Sequence, residues 1–373
     1  MSTDTAERKA LAQAVRDAAS ARPRELVDHS GRASRDTRLW QLLTEQMGLH
    51  TLLIDECNGG ADASVADAAV VIEYLARSLS VVPALSSLGI STALLRTIDS
   101  DRSSELLTEL ATGTVTATVA WPRPASCDLD PVVTVVSHDG DNRVVVDGCC
   151  DFILDGAEAD VILVPVALSG GPTIVALDVR QDGVVRSDMT ALDLTRGMAK
   201  VEFSHARAAV LGSADLAAAF DLALVLIGAE QVGIAQHCHD TAVKWARERV
   251  QFDRPIGQFQ AIKHQLVDLL MELELARSSL DVAVAAADSY LDNRSPNAGK
   301  ALHVAASAAK ARCGDAAMSV ADQSLHILGG IGFTWEHEAH LYFRRAKTLE
   351  VFLGTPSEHR RRFGTSILHA VTG

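Results

Sequence analysis

The middle of the chain changes from helical to β-strand patterning and back again, and this change restricts the fold more than any other sequence feature. In residues 114–119 nearly every side chain is β-branched, which favours extended structure. Valine- and isoleucine-rich runs, separated by glycine- and aspartate-rich turns, continue to about Gly212. The pattern predicts a β-rich domain inserted between helical ones.

Helical periodicity characterises the sequence on both sides of this segment. Before it, apolar residues recur three and four positions apart, for example Val71, Ile72 and Leu75. After it, residues 222–235 are apolar nearly all round, which predicts a helix buried on every side. A further helix carries an apolar stripe made of Ile262, Leu266, Leu269, Leu270 and Leu273.

These patterns predict a multi-domain α+β fold. It comprises an N-terminal helical domain over residues 1–112, a middle antiparallel β domain over 113–212 and a C-terminal four-helix bundle over 213–373. Of the 373 residues 48% are apolar, which is enough for a sizeable core.

Composition argues against several classes of function. The formal net charge of −14 is unfavourable for a nucleic-acid-binding surface. The six cysteines include no C-x-x-C pair, so we expect no metal site and no disulfide framework, but reduced thiols in a cytoplasmic protein. The most apolar run, residues 216–235, contains Asp221 and Glu230, so we expect a buried helix and no membrane span.

A glycine-rich loop at residues 327–333 is the first informative motif. Gly329, Gly330 and Gly332 free the backbone to turn tightly and let another group approach closely. A helix with Arg344 and Arg345 follows. On glycine content alone, this is an ordinary helix–loop–helix corner.

The second motif covers residues 249–260, with the sequence RVQFDRPIGQFQ. Pro255 and Gly257 mark a loop between two long helices. Without further context it is a polar interhelix loop.

Together, the glycine loop, the arginine-containing helix and the triplet Leu353-Gly354-Thr355 resemble the C-terminal signature of the acyl-CoA dehydrogenases. These flavoproteins introduce a double bond next to a thioester. In the family the triplet is commonly Glu-Gly-Thr, and its glutamate is the catalytic base. Here that position is Leu353, and the alternative base positions of some members are Ala223 and Leu224. The resemblance therefore implies no catalytic base in this chain.

The resemblance also implies residues that bind FAD. In the family the 249–260 segment and the glycine loop reach across a dimer interface to the flavin of the neighbouring subunit. An arginine suits the pyrophosphate, because its guanidinium pairs two phosphate oxygens at once. Asp253 replaces the family's usual glycine, and His326, which can still donate a hydrogen bond, replaces its usual glutamine. The matching residues here are Arg249, Gln251, Phe252, Gln260, His326, Gly329 and Gly330. Thr355, on the side of the chain's own flavin, survives from the family's triplet and is a further implied FAD contact.

The half of the site that a subunit contributes to its own flavin departs from the family. Residues 120–124 and 152–154 stand where the family has a Thr-Glu-Pro segment and a Trp-Ile-Thr or Trp-Ile-Ser segment. Leu154 occupies the hydroxyl position and cannot hydrogen-bond a flavin. We therefore expect that this chain does not hold a flavin of its own.

The resemblance implies the non-catalytic subunit of an actinobacterial α2β2 heterotetramer. A homologous catalytic acyl-CoA dehydrogenase subunit would supply the base, the substrate would be an acyl-CoA thioester such as a steroid side-chain CoA ester, and an electron-transfer acceptor would reoxidise the flavin.

Two alternatives stay open. One is a self-sufficient dehydrogenase with a displaced base, Glu350 or Glu230, although a solvated or helix-capping role is the preferred interpretation of both. The other is a structural or regulatory subunit that binds no flavin.

Overall fold

The structure is a computed structural model that describes residues 3–20, 34–140, 142–168 and 171–372. Its first part is helical because apolar faces recur at helical spacing and polar caps begin the helices. At Ser64, for example, the hydroxyl accepts from the backbone N–H of Asp67, and the Asp67 carboxylate accepts from that of Ser64. The α-helices are α1 (Thr3–Ser20), α2 (Thr37–Gln41), α3 (Val65–Ala76), α4 (Thr92–Leu95) and α5 (Asp101–Ala111).

A sheet of seven strands follows, as the β-branched runs predict. The strands are β1 (Ala117–Val119), β2 (Thr134–His138), β3 (Arg143–Leu154), β4 (Val161–Leu168), β5 (Gly171–Asp178), β6 (Val184–Asp188) and β7 (Met198–Ser213). Their order is β1-β4-β5-β7-β3-β2, with β6 also paired to β7. The pairs are antiparallel as predicted, except that β1 runs parallel to β4 with Ala117 opposite Val161.

The last part is again helical. Its elements are α6 (Leu216–Glu248), β8 (Val250–Gln251), β9 (Arg254–Pro255), α7 (Gln260–Asn293), α8 (Pro296–Leu328), α9 (Ala339–Val351) and α10 (Pro356–Thr372). The predicted α+β architecture of helices, sheet and long helices is therefore confirmed. The exact domain limits at 112/113 and 212/213 stay a prediction.

Helix α6 lies at the centre of the molecule. It packs against α3, α7, α8 and α9, so it needs apolar side chains on every side. By length and composition it could cross a membrane, but 94% of its most apolar window is buried inside the protein. The apolar pattern of residues 222–235 thus reflects a core helix.

The sheet contributes to two cores. Leu163 and Ile174 on one face join the large helical core, whereas Val144, Val164 and Val175 belong to a second core among the strands. Alternation of side chains along each strand explains this division. The sheet is thereby fixed against the helices that carry both motifs.

The long helices bring both sequence motifs to one end of the bundle. Helices α6, α7 and α8 follow one another through short connections and so run antiparallel. The ring Nε2 of His239 on α6 lies 3.2 Å from the carbonyl oxygen of Leu266 on α7, and Gln265 on α7 lies 3.4 Å from Gln323 on α8. The end of α6, the start of α7 and the end of α8 are therefore neighbours.

Local details differ from the sequence predictions. The segments Leu42–Gln46 and Ala84–Ser91 form π-helices, which apolar periodicity does not distinguish from α-helices. In the apolar stripe of α7, Leu269 and Leu273 are buried, but Leu270 is 41% exposed. The buried face of α7 is therefore narrower than the apolar stripe.

We predict that Gly233→Ala destabilises the fold, because α3 and α6 approach closely there. A Cβ atom at Gly233 would lie 2.3 Å from the carbonyl oxygen of Glu73 and 2.9 Å from Cβ of Ala76. The expected loss in the free energy of unfolding is about 2 kcal/mol, measured by urea denaturation. Gly299→Ala is the control, because its nearest neighbour is a Tyr290 ring atom at 3.7 Å, and it should be neutral or slightly stabilising. Equal effects of the two changes would contradict the argument.

Candidate functional site

Arg249 opens a tight hairpin at the end of α6. Its side chain is exposed, with the guanidinium carbon 5.8 Å from the Trp245 ring centre. Strands β8 and β9 pair across the turn at Phe252 and Asp253, whose φ angles are +52° and +63°. Two central residues with positive φ are typical of a two-residue hairpin and favour glycine. Asp253, where the family has glycine, is among the residues that tolerate this conformation best.

Phe252 presents its ring to the outside of the molecule. The side chain is 87% exposed and contacts Phe259 edge-on, with 6.2 Å between ring centres. Most of this large aromatic surface is left uncovered by the described chain. The ring is therefore available for a contact with another group.

Gln251 and Gln260 stand beside this hairpin. The Gln251 side chain is exposed and donates to the neighbouring carbonyl of Val250 at 2.8 Å. Gln260 is the exposed first residue of α7. Both amides face solvent at the bundle end where Arg249 lies.

The glycine loop follows α8 at the same end of the bundle. Gly329 has a φ of +69°, a backbone conformation that a larger residue would strain. A Cβ atom at Gly329 or Gly330 would meet nothing within 4 Å, so the space beside this backbone is open. The loop can accept a group from outside the described chain.

His326 occupies the last turn of α8 with its ring exposed. Its Nδ1 lies 2.9 Å from the carbonyl oxygen of Asp322, which makes Nδ1–H the donor of that hydrogen bond. In the neutral ring, Nε2 is then an acceptor, so a donated hydrogen bond to an outside group needs the protonated ring. The structure thereby qualifies the expectation that His326 can donate.

The family's base position is closed. Leu353 is fully buried, and its N–H donates to the carbonyl oxygen of Pro124 at 2.6 Å. Beside it, a Cβ atom at Gly354 would lie 2.5 Å from the Cys127 sulfur. The segment around Pro124 and Cys127 therefore covers the position at which the family's catalytic carboxylate would lie.

Two buried basic side chains bind the backbone of the loop around Leu353. Lys310 donates from Nζ to the carbonyl oxygens of Leu349, Glu350 and Gly354, and burial lowers its pKa to about 8. Nε2 of His359 lies 2.8 Å from the carbonyl oxygen of Leu353. Burial, aided by the charge of Lys310, lowers the pKa of His359 to about 3. His359 is therefore neutral, with Nε2–H as the donor.

Thr355 caps the N-terminus of α10. Its backbone N–H and hydroxyl both donate to the Glu358 carboxylate, at 2.8 and 2.7 Å, and its hydroxyl oxygen accepts from the Glu358 N–H. The backbone hydrogen bond lowers the pKa of Glu358. This capping box begins α10 and occupies the hydroxyl that the sequence analysis assigned to FAD. The alternative base positions, Ala223 and Leu224, are fully buried and apolar.

The flavin-facing positions of the sheet are also altered. Leu154 is buried in the large core, where its carbonyl oxygen accepts from the Thr118 hydroxyl at 2.5 Å. Trp121 is buried edge-on against Phe220, with 5.6 Å between ring centres. Phe152 stays 49% exposed with a φ of +55°. Leu154 therefore cannot hydrogen-bond a flavin ring through its side chain, and Trp121 is packed into the core.

Glu230 has a different environment from the one predicted. It is 2% exposed, and its Oε1 accepts from Arg345 at 2.6 Å and from Arg196 at 2.5 Å. The predicted solvated or capping role is wrong for Glu230, because α6 is buried on all sides at this point. Glu350, by contrast, lies near the surface and pairs with Lys347 at 2.5 Å.

The arginine cluster around Glu230 was not predicted from the sequence. Arg345 is 1% exposed and contacts Asp193 through a short ion pair, and it donates to both oxygens of Thr195 at 2.7 and 2.8 Å. Burial disfavours a charged guanidinium, but the carboxylates of Asp193 and Glu230 outweigh it and raise the pKa of Arg345. The sequence did contain one indication of this cluster. Glu230 lies in an otherwise apolar helix, and a buried carboxylate needs a charged or hydrogen-bonding partner.

We predict that His359 makes the protein acid-sensitive. Its pKa is about 3 in the fold against about 6.5 in the unfolded chain, so the unfolded chain binds the extra proton between these values. Stability is therefore fully present above about pH 6.5 and is lost as the pH falls toward 3, by about 2 kcal/mol at pH 5. His359→Gln keeps an N–H donor without titrating. Its denaturation midpoint should fall less between pH 7 and pH 5, and an unchanged pH profile would contradict the assignment.

Two family models match the helical parts of the chain. Residues 5–114 match the acyl-CoA dehydrogenase N-terminal domain and residues 212–368 match its C-terminal domain. The acyl-CoA dehydrogenase IpdE2 of Mycolicibacterium smegmatis is 32% identical over 332 residues, which cover 89% of this chain and 88% of IpdE2.

Solved structures of similar fold cover nearly the whole chain. A variant of the Tcur3481-Tcur3483 steroid ACAD superposes with a TM-score of 0.84 at 25% identity, over 99% of each chain. The ChsE4-ChsE5 complex of Mycobacterium tuberculosis, at 24% identity, shares the fold with a TM-score of 0.83 over 97% of each chain. The chain therefore belongs to the acyl-CoA dehydrogenase family, whose members are FAD-dependent oxidoreductases of CoA thioesters.

Proposed function

We propose that this chain is a non-catalytic subunit of a heteromeric acyl-CoA dehydrogenase and donates half of an FAD site to a homologous catalytic partner. The observation that carries the proposal is the state of Leu353. It is fully buried, apolar and closed off by Pro124 and Cys127. Abstraction of the proton next to a thioester needs a base within reach of that carbon, and this position offers none.

The donated half-site supports the same proposal. Arg249, Phe252 and the Gly329–Gly330 backbone are open to the outside at one end of the bundle. A cationic fork, an aromatic ring and unobstructed glycine backbone are the features that a dinucleotide's pyrophosphate and adenosine require. These residues fit FAD as a shared cofactor at a subunit interface.

An exposed apolar face on α7 supports an assembly. Side chains on this helix are 41–63% exposed although they are large and apolar: Val267, Leu270, Met271, Leu275 and Val282. Their spacing places most of them on one side of the helix. Contiguous exposed apolar surface of this kind marks a protein interface. We assign it to the partner subunit, in an α2β2 heterotetramer.

The substrate and acceptor belong to the same proposal. A relative described as a steroid ACAD favours a steroid side-chain CoA thioester as the substrate of the complex. Electrons would leave the flavin to an electron-transfer acceptor, and the complex would work in the cytoplasm.

The two alternatives make different demands on the chain. A displaced base at Glu230 would have to leave Arg345 and Arg196, and one at Glu350 would have to leave Lys347. A flavin-free subunit would have no use for the exposed Arg249 and Phe252.

We predict that Arg249→Ala lowers the FAD content of the complex formed with a partner that keeps the Glu-Gly-Thr glutamate. Removal of a charge-assisted, bidentate contact should weaken flavin affinity by roughly tenfold or more. Flavin absorbance and the FAD dissociation constant measure the effect. Arg247→Ala is the control, since Arg247 is also exposed but lies outside the matching motif. Unchanged flavin affinity in Arg249→Ala would favour the flavin-free subunit.

We predict that Leu353→Glu does not confer acyl-CoA oxidation on the chain alone. The new carboxylate would be buried under Pro124 and Cys127 without a flavin opposite it. It should also lower the free energy of unfolding at pH 8 by about 3 kcal/mol relative to Leu353→Gln, because burial disfavours the charged form. Dye-linked oxidation and denaturation of both variants test this. Activity in the Glu variant alone would show that the site is intact apart from its base.

A further inference from the structure

The exposed apolar face of α7 is long, narrow and straight. Val267, Met271, Leu275 and Val282 are 53–63% exposed and follow one another at helical spacing. From Val267 to Val282 the face is about 22 Å long, because each residue of a helix adds about 1.5 Å. Another helix laid alongside α7 would cover a face of this shape.

Three exposed carboxylates border this face, those of Asp268, Glu274 and Asp281. Glu274 and Asp281 are two helical turns apart, so they lie on the same border, and Asp268 lies on the opposite one. In the part of the chain that the structure describes, none of the three carboxylates makes a salt bridge or accepts a hydrogen bond. Their charges are therefore available to a group that docks on α7.

The arginines closest to this border are paired with other residues. Arg277 donates from Nη1 to both carboxylate oxygens of Glu73 and from Nη2 to Gln236, each at 3.1 Å. Arg312 on α8 forms a salt bridge of 3.0 Å with Glu272. Neither arginine is free to neutralise the border.

The environment of Asp281 is consistent with an excess of negative charge. Burial raises the pKa of this carboxyl, and the charges of Glu73 and Glu274 raise it further, although Arg277 opposes them. Lys263 is exposed on the same helix, but it lies about three turns before Glu274. A cation brought to the border by another molecule would therefore be attracted.

Charge distinguishes between the possible occupants of the face. A second copy of this chain would bring the same three carboxylates to the interface, and like charges at an interface disfavour association. An anionic lipid surface would be repelled for the same reason. A helix with lysine or arginine beside its apolar residues would bury the face and pair with the border.

We propose that α7 docks against a helix whose apolar face is bordered by lysine or arginine, and that this charge pattern selects the partner subunit over a second copy of this chain. The inference rests on the proposed function in attributing that helix to the catalytic partner. The face and its border belong to this chain, so they can be tested without FAD and without the partner.

The probes are two synthetic helical peptides with the same leucine face, one bordered by lysine and the other by glutamate. Fluorescence anisotropy measures their dissociation constants for the full chain over a range of salt concentrations. We expect the lysine-bordered peptide to bind roughly tenfold more tightly or better, with the difference shrinking as salt is added. Equal binding of the two peptides would overturn the proposal. Self-association of the natural chain that Met271→Glu abolishes would also overturn it, because a second copy would then be the occupant.

Variants separate the border from the net charge of −14. Glu274→Lys combined with Asp281→Lys should abolish the preference for the lysine-bordered peptide. Glu105→Lys combined with Glu109→Lys on α5 is the matched control, since both residues are exposed and the net charge changes equally. The control should keep the preference. Met271→Glu should weaken binding of the lysine-bordered peptide about tenfold. A preference that survives in the α7 double variant, or is lost in the control, would refute the role of the border.

The heteromer gives a second readout. Glu274→Lys combined with Asp281→Lys should weaken assembly with the catalytic partner about tenfold or more, as measured by sedimentation, and the α5 control should not. Failure of the proposed function would instead appear as unchanged flavin affinity in Arg249→Ala while the peptide preference persists. Assembly that is equally tight in the α7 double variant would show that this border does not select the partner.

Discussion

The buried contacts of Arg345 join α9, on which it lies, to α6 and to the loop between β6 and β7. This residue of α9 is the largest fully buried side chain of the described structure. It joins α6 through Glu230 and the loop between β6 and β7 through Asp193 and Thr195. A buried ion pair adds little net stability over an apolar contact, but losing one partner costs about 3–5 kcal/mol. The cluster therefore fixes how the sheet sits on the helices more than it increases total stability. Leu353 follows α9 and donates its backbone N–H to Pro124, which lies in the connection between β1 and β2.

The two halves of the family's site have opposite environments in this chain. The half that we propose to serve a partner's flavin has an exposed arginine, an 87% exposed phenylalanine and open glycine backbone. The half that faces the chain's own interior has Leu353 and Leu154 packed into the core. Protein interiors are close-packed, so an interior position is either filled by a side chain or lined by polar partners. The side chains of Leu353 and Leu154 fill their positions.

Much of the fold could be predicted from the sequence, because helix and strand periods are local. The β-branched runs became strands, and the all-apolar pattern of residues 222–235 became a central helix. The environment of Glu230 could not be predicted, since its partners Arg345 and Arg196 are distant in sequence and meet it only after the sheet docks on α6. The same holds for Leu353, whose identity predicted the missing base but not its closure by Pro124 and Cys127. The FAD residues were predicted from a family resemblance, and the structure adds that Arg249 and Gly329 share one end of the bundle.

Backbone conformation explains how side chains can change while the loops persist. Phe252, Asp253 and Leu353 all have positive φ angles, which cost a non-glycine residue roughly 1–2 kcal/mol each. Local preference would not select Phe252 or Leu353 there, so the loops are held by longer-range bonds. The hairpin is closed by the 2.8 Å hydrogen bond from Ile256 N–H to the Arg249 carbonyl, and Leu353 is fixed by Pro124 and His359. Because these anchors bind backbone groups, a side chain there can be replaced without loss of the loop's path. The position that holds glutamate in the family can thus hold leucine while the loop keeps its path.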